Sequence, residues 1–175
     1  MKRILVIGPG GAGKSTLARR MGERLGLPVV HLDGMYWRAG WTKAPEDEWA
    51  REVARLIGDD AWVMDGNYSG TLDLRIPAAD TIVFLDFPRL VCLWRVVKRR
   101  LRFHGHARPE MHPECPERLT WQFIDWIWNY RRLQRPRVLE RLRAVADEKR
   151  IVVLQSQRDA EQFVSSLAST AEAQN

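Results

Sequence analysis

Residues 8–16 read Gly-Pro-Gly-Gly-Ala-Gly-Lys-Ser-Thr and match the phosphate-loop pattern G-x-x-x-x-G-K-[ST] at every defined position. The apolar run at residues 4–7 predicts a buried strand before this loop. After the loop, apolar side chains recur at helical spacing at Leu17, Met21 and Leu25. Glycines let such a loop turn its backbone N–H groups toward an anion at the positive end of the following helix. The stretch therefore predicts a strand, a phosphate-binding loop and a helix, in that order.

This loop predicts a site for the phosphates of ATP. We expect Lys14 to reach the β- and γ-phosphates and the Ser15 hydroxyl to bind Mg²⁺. A glycine-rich turn without a ligand is the alternative, but the complete motif between a strand and a helix favours the phosphate site. The loop residues expected to bind the nucleotide are Gly8, Gly10, Gly11, Ala12, Gly13, Lys14, Ser15 and Thr16.

Length and composition predict one domain of 175 residues. With only Cys92 and Cys115, no apolar run of about 18 residues and no signal-peptide pattern after Met1, we expect a cytoplasmic protein with reduced thiols and no membrane partner. The formal charge of +6 is uneven, because residues 89–143 carry 14 Lys/Arg and 5 Asp/Glu. Such a segment attracts nucleotide phosphates or a nucleic-acid backbone.

A carboxylate is predicted on the acceptor side of the site. The apolar residues after Pro28 predict a strand at 29–33 that ends at Asp33. Ligands of open α/β sheets bind outside the carboxyl ends of the strands, so Asp33 should face the same crevice as the phosphate loop. There it would position an acceptor hydroxyl or remove its proton, whereas the alternative is a turn residue before Gly34. His31 is expected to pack or form a hydrogen bond within the sheet.

A second carboxylate, Asp65, follows a short strand predicted at 62–64. A phosphate-loop enzyme needs an acid in this place to hold a metal-bound water, so Asp65 is the candidate Mg²⁺ residue acting through water. An ordinary Asp-Gly turn is the alternative. Further strands are predicted at 81–85 and 151–154.

The predicted helix at 88–102 carries two different faces. An apolar stripe is expected to be buried, and it consists of Leu90, Leu93, Trp94, Val97 and Leu101. The second face carries Arg95, Lys98, Arg99 and Arg102. Four cations on one face repel each other unless an anion lies among them, although a solvated basic face is the common alternative.

Several features together resemble the adenylate-kinase-like nucleotide and small-molecule kinases: the phosphate loop, Val63-Met64-Asp65-Gly66, residues 80–88, and the set Arg95, Arg99 and Arg100. A narrower resemblance is to the bacterial DNA topology modulation protein group. It rests on His31-Leu32-Asp33, Trp41, Asp65-Gly66-Asn67-Tyr68-Ser69, Leu85-Asp86-Phe87-Pro88-Arg89 and Cys115-Pro116-Glu117-Arg118, within a likeness that covers residues 2 to about 155.

The resemblance implies an α/β fold, in which a five-stranded parallel sheet is flanked by helices and a helical lid covers the site. It implies one domain with a core at 1–33, 61–101 and 132–175, an acceptor-side helical segment at 34–60 and a lid at 102–131. It also implies Mg-ATP as the phosphate donor, gripped by Arg95 and Arg99. An arginine after the lid, Arg131 or Arg135, would reach the transferred phosphate. Adenylate kinases carry an AMP-binding arginine shortly after their Asp-Gly, but Asn67-Tyr68-Ser69 stands here, so AMP is not the expected acceptor.

Two features of residues 103–130 leave alternatives open. The pattern H-x-H-x5-H-x2-C ending at Cys115 brings histidines and a cysteine together, but it is not a recognised zinc spacing and also suits a polar lid. Apolar residues lie almost all around the predicted helix after Pro116, which suits a helix between lid and core or a dimer face, so the chain is expected as a monomer or a homodimer.

These features together predict an Mg-ATP-dependent phosphotransferase with catalytic residues Lys14, Asp33, Arg95, Arg99 and Arg131. Its partners are ATP and a small-molecule or nucleotide acceptor. A nucleic-acid-binding ATPase that modulates DNA topology is the alternative, since the same basic segment and its tryptophans suit DNA or RNA. A regulatory switch that binds ATP without turnover is the third interpretation.

Overall fold

The computed structural model describes residues 1–172, with side chains described to residue 167. Five strands form one parallel sheet in the order β2-β5-β1-β6-β7. They are β1 (Arg3–Ile7), β2 (Val29–His31), β5 (Trp62–Asp65), β6 (Thr81–Leu85) and β7 (Arg150–Leu154). The predicted five-stranded parallel sheet is confirmed. The last three residues of the predicted core segment 132–175 lie outside the described residues.

Helices cover both faces of the sheet. The longer ones are α1 (Lys14–Leu25), α3 (Glu46–Leu56), α5 (Arg89–Arg102), α6 (Trp121–Leu133), α7 (Arg135–Ala144) and α8 (Gln157–Glu172). Two short helices, α2 (Leu32–Tyr36) and α4 (Leu72–Ala78), follow β2 and β5. The pair β3 (Trp37–Arg38) and β4 (Thr42–Lys43) forms a small antiparallel ladder. No helix among the described residues is both long and apolar enough to cross a membrane.

The central strands supply two hydrophobic cores, one on each side of the sheet. Successive side chains of a strand point to opposite faces. Ile4 and Val6 of β1 accordingly pack with α1, α5 and α8, whereas Leu5 and Ile7 pack with α3, α4 and α7. This burial on both faces fixes the carboxyl ends of β1, β2 and β5, where the phosphate loop and the two predicted carboxylates lie.

Strand β2 is shorter than predicted, because it ends at His31 and not at Asp33. Leu32 to Tyr36 turn into α2, and Asp33 lies in the first turn of that helix. The helical turn buries Leu32 completely, which gives this segment a stronger anchor than one further residue of edge strand would give.

The predicted buried stripe of α5 is wrong at four of its five residues. Leu90, Trp94 and Leu101 are 66%, 66% and 75% exposed, whereas Cys92 and Val96 are buried. The physical reason is the phosphate loop, because Cys92 and Val96 pack directly against Gly11 and thereby orient the helix. Leu90, Trp94 and Leu101 consequently point away from the core, whereas Leu93 of the predicted stripe is partly buried against it.

Candidate active site

One large cavity of about 1340 Å³ lies at the carboxyl ends of the strands. Its walls come from the phosphate loop, from the cationic face of α5, from residues 33–43 and from the connection 103–120 between α5 and α6. Gly10, Gly11, Ala12, Gly13, Lys14, Ser15, Thr16, Asp33, Arg95 and Arg99 are the predicted site residues that line it. The structure therefore brings most of the predicted residues around one space.

Close packing around the phosphate loop leaves no room for side chains at three of its glycines, Gly8, Gly10 and Gly11. Gly11 has a φ of +80°, and a Cβ there would clash with the carbonyl oxygen of Cys92. A Cβ on Gly10 would lie 2.6 Å from the ring of Phe123 in α6. Gly8, which does not line the cavity, donates its N–H to Oδ1 of Asn67 at 3.2 Å. These contacts hold the loop between α5, α6 and the turn after β5.

Lys14 folds its side chain back along the loop. Its Nζ donates hydrogen bonds of 3.0 Å to the carbonyl oxygens of Gly8 and Pro9. Burial lowers the pKa of Lys14, and the nearby carboxylates of Asp33 and Asp65 oppose that change. The ammonium group is therefore held inside the loop, next to the carboxylates that the sequence predicted for this site.

The cationic face of α5 borders the loop. Arg95 donates from Nη1 to the carbonyl oxygen of Ala12 at 3.1 Å and from Nη2 to Oε1 of Gln157 at 2.9 Å. Arg99 lies one helical turn further along, and burial lowers its pKa while Glu117 opposes that change. Lys98 and Arg102 also line the cavity. The predicted basic face thus borders the phosphate loop and forms one wall of the cavity.

Glu117 joins α5 to the 103–120 connection, and the sequence analysis gave it no role in the site. Its side chain is 2% exposed, and Oε1 accepts a hydrogen bond of 2.9 Å from Nε of Arg99. Oε2 lies 2.7 Å from Nε of Arg108, but that N–H is not aligned with the oxygen, so the contact is an ion pair and not a hydrogen bond. A buried carboxylate requires such partners. Glu117 is separated from Arg108 by nine residues and from Arg99 by eighteen, and no regular spacing in the sequence predicts these pairs.

Asp33 lines the cavity and is contacted by two other side chains. Its Oδ1 accepts a 2.6 Å hydrogen bond from the hydroxyl of Tyr68, and its Oδ2 lies 3.8 Å from Nη2 of Arg108. Burial, followed by the charge of Asp33, raises the pKa of Tyr68, so the phenol stays protonated and donates. The contact joins residues 35 positions apart in the chain, so no local sequence pattern predicts it.

The turn that carries Tyr68 is held by a buried arginine that the sequence analysis also missed. Arg75 is fully buried and donates to the carbonyl oxygens of Gly66, Asn67 and Tyr68 at 2.8, 3.2 and 2.9 Å. Burial lowers the pKa of Arg75 to about 10. A single guanidinium group thus fixes three successive peptide units beside the phosphate loop.

The 103–120 connection contacts Gly40 and Trp41 at the wall of the cavity. Nε1 of Trp41 donates to the carbonyl oxygen of Pro116 at 3.0 Å, and Gly40 donates its N–H to that of Glu114 at 3.2 Å. The guanidinium of Arg118 lies 4.4 Å from the centre of the Trp41 ring. Of the aromatic residues at 35–41, Tyr36, Trp37 and Trp41 line the cavity, whereas α3 packs into the core.

Asp65 pairs with His31 at the ends of β5 and β2. Its Oδ1 lies 2.6 Å from Nδ1 of His31, and this hydrogen bond raises the pKa of the imidazole. Asp65 is 4% exposed and is not among the residues that line the cavity. The expectation that His31 forms a hydrogen bond at the sheet is confirmed.

The structure does not bring Arg131 to the cavity. Helix α6 turns Phe123 and Trp126 toward the cavity and buries Ile127 and Tyr130, so Arg131 lies on its exposed side. The alternative residue, Arg135, forms a bidentate pair with Asp86 after β6, with N–O distances between 2.8 and 2.9 Å.

The histidines and the cysteine of the 103–120 connection have separate partners. Nδ1 of His106 contacts the carbonyl oxygen of His104 at 2.8 Å, and His112 accepts the N–H of Glu114 at 3.2 Å. The thiol of Cys115 lies 3.1 Å from the carbonyl oxygen of Arg38. Within the described part of the chain, no group of three or more His, Cys, Asp and Glu residues is arranged to hold a metal ion.

Comparison with known proteins finds relatives that match only part of the chain. Over 109 residues the chain is 31% identical to the uncharacterized protein YqaC of Bacillus subtilis, and this match covers 60% of each chain. Over 108 residues it is 60% identical to the adenylate kinase of Kocuria rhizophila, which covers 60% of this chain and 56% of that protein. The chain thus spans less than two thirds of the length of these relatives. No protein-family model matches it.

Comparison with solved structures covers the whole chain. The shikimate kinase of Acinetobacter baumannii has a TM-score of 0.57 and 17% identity, over 100% of this chain and 95% of that one. This likeness shows the fold. Together with the adenylate kinase match, it supports a place in the P-loop kinase superfamily. The narrower resemblance to the DNA topology modulation protein group is not confirmed and stays a prediction.

Proposed function

We propose that this chain is an Mg-ATP-dependent phosphotransferase that transfers the γ-phosphate of ATP to a small acceptor. One observation carries the proposal: the phosphate loop, the cations of α5 and the carboxylate of Asp33 line the same cavity. A bound triphosphate needs the first two groups, and an acceptor hydroxyl needs the third.

The residues present fit ATP and Mg²⁺. The loop backbone at residues 10–16 lines the cavity, and Lys14, Arg95 and Arg99 supply the positive charge that a triphosphate requires. Ser15, which lines the cavity, would bind Mg²⁺, whereas Asp65, which is paired with His31 and lies outside the lining, would reach the ion only through water. When bound, ATP supplies the phosphoryl group and Mg²⁺ neutralises part of its charge.

The chain's own residues then have separate tasks. The guanidinium groups of Arg95 and Arg99 stabilise negative charge on the transferred group, and the covering 103–120 connection excludes water and so strengthens this effect. Asp33 accepts the hydrogen bond of an acceptor hydroxyl and orients it, or takes its proton. If the acceptor is itself a phosphate, Asp33 only positions it. We assign no contact with the phosphate to Arg131.

A transfer screen with ATP labelled at the γ-phosphate tests the proposal. Adenylate kinase and shikimate kinase, the named relative and structural neighbour, suggest a panel with both nucleotides and hydroxy acids, to which we add nucleosides and sugars. Lys14→Ala is the blank, and Lys2→Ala, an exposed lysine outside the cavity lining, is the matched control. We expect labelled product with the wild type and Lys2→Ala but not with Lys14→Ala. Failure of the whole panel, together with DNA-stimulated ATP hydrolysis, would contradict the proposal.

A nucleic-acid-binding ATPase is the second candidate, favoured by exposed tryptophans beside cations. Trp94 is 66% and Trp121 84% exposed, and Lys98 and Arg102 lie next to Trp94 on α5. Bases stack on such rings, and cations bind the backbone. Submicromolar, steeply salt-dependent DNA binding that survives Arg95→Ala and Arg99→Ala would favour this candidate over the first.

A further inference from the structure

Glu117 occupies an unusual position among cations of the cavity. It belongs to the 103–120 connection, yet its carboxylate is buried and contacts Arg99 of α5 as well as Arg108 of its own segment. Two neighbouring guanidinium groups repel each other, and a buried carboxylate between them reduces this repulsion while leaving one net positive charge. Glu117 therefore connects the covering segment to the helix that borders the phosphate loop.

Both arginines contact Glu117 through Nε, which leaves their terminal nitrogens for another anion. Among the described residues, the terminal nitrogens of Arg99 have no hydrogen-bond partner, and Nη2 of Arg108 lies only within 3.8 Å of Asp33. Both side chains line the cavity. A guanidinium group binds a phosphate best through parallel N–H groups, so a carboxylate at Nε orients the group without blocking it.

We propose that Glu117 is a positioning residue, which holds Arg99 and Arg108 in place for the phosphates of the nucleotide. This inference rests on the proposed function, because it takes ATP as the ligand of the cavity. It predicts the direction of the change in affinity: removing the charge of Glu117 weakens nucleotide binding. If Glu117 instead stood in for a phosphate and competed with it, the same change would strengthen binding.

Calorimetric titration of the full chain with Mg-ATP tests whether removing the charge of Glu117 weakens or strengthens binding. Glu117→Gln keeps the shape and removes the charge, and Glu114→Gln is the matched control, because Glu114 is exposed on the same connection. We expect the dissociation constant to rise about tenfold in Glu117→Gln, as for one lost charge-assisted contact, and to stay unchanged in Glu114→Gln. In an Arg99→Ala/Arg108→Ala background, adding Glu117→Gln should change affinity by less than about twofold, because both groups that it positions are gone. A general folding defect would not give this non-additivity.

Arg99→Lys gives a second test that leaves Glu117 in place. A lysine has one ammonium group and cannot bind Glu117 and a phosphate through separate nitrogens, so affinity should again fall. Wild-type affinity in Glu117→Gln or Arg99→Lys, or tighter binding in Glu117→Gln, overturns the positioning role while leaving the proposed function intact. No Mg-ATP binding by the wild type itself overturns both.

Discussion

The hydroxyl of Tyr68 donates a 2.6 Å hydrogen bond to Oδ1 of Asp33. This contact joins the turn after β5 to the short helix after β2, so the carboxylate of Asp33 is held from a second element of the fold. Since one carboxylate oxygen accepts the hydrogen bond of Tyr68, the other faces Arg108 and remains available to the proposed acceptor.

Tyr68→Phe removes this hydrogen bond and keeps the ring, which packs against Tyr36 and Trp49. We expect the rate of phosphoryl transfer to fall about 10- to 100-fold, equivalent to the ~1.5–3 kcal/mol of a hydrogen bond to a charged group, with Mg-ATP affinity unchanged. Tyr36→Phe is the control, because Tyr36 lines the same cavity and its hydroxyl has no partner in the described residues. Equal rates in the two variants would contradict a role for the Tyr68–Asp33 contact.

Gly11→Ala tests the packing of the phosphate loop. The new Cβ meets the carbonyl oxygen of Cys92 and the side chain of Val96 at a φ of +80°, and we expect a loss of about 3 kcal/mol in unfolding free energy together with loss of nucleotide binding. Gly40→Ala is the control, since Gly40 has a φ of +66° but open space around it, and only about 1 kcal/mol of backbone strain should result. Urea unfolding of both variants measures the difference. Equal losses would mean that the close contact with α5 is unimportant.

Arg75→Met leaves three carbonyl oxygens of the turn at 66–68 without their donor. We expect the unfolding free energy to fall by about 3 kcal/mol, because unpaired buried acceptors are costly even though the buried charge is removed. Arg51→Met removes an exposed pair with Asp47 on α3 and should have little effect. Chemical denaturation measures both, and a neutral or stabilising Arg75→Met would show that the arginine is not needed to hold the turn.

The lowered pKa of Asp80 predicts that part of the free energy of unfolding depends on pH. Burial alone would raise the pKa of this carboxyl, but the N–H groups of Arg3 and Lys2 and the hydroxyl of Thr81 donate to it and lower its pKa below the usual value. A lowered pKa in the folded state stabilises the fold above the unfolded pKa near 3.8, and the effect disappears as the pH falls through the folded value.

We therefore expect Asp80→Asn to lose about 1 kcal/mol at pH 7, a modest figure because solvent screens this partly exposed group. The difference from the wild type should shrink below about pH 4, as the wild-type carboxyl becomes protonated. Urea unfolding at several pH values measures it, and a difference independent of pH would contradict the role of the charge.

The parts of the fold that depend on local sequence were predictable. The run before Gly8, the complete phosphate loop and the later apolar runs determine the five strands, because a buried parallel strand needs a short continuous apolar segment. The helical face with Arg95 and Arg99 was also predictable from its four-residue interval. In each case the residues that predict the strand, loop or helix belong to the same short segment as the element itself.

What the sequence could not provide depends on contacts between distant segments. The stripe of Leu90, Trp94 and Leu101 satisfies helical periodicity, but periodicity does not say which face meets the phosphate loop. The partners of Glu117 and Arg75 follow from the tertiary arrangement, since their ion pairs and hydrogen bonds join residues without a regular spacing. Exposed apolar side chains on α5 and the buried charges of Glu117 and Arg75 are exceptions to the rule that apolar residues are buried and charged residues are exposed.

The most direct test of the account is the affinity of the purified chain for ATP with and without Mg²⁺, measured by calorimetry in the wild type and in Lys14→Ala. The account predicts magnesium-dependent binding with a dissociation constant in the micromolar range for the wild type and a loss of at least about tenfold in Lys14→Ala. Absence of magnesium-dependent binding, or equal binding by Lys14→Ala, would contradict it.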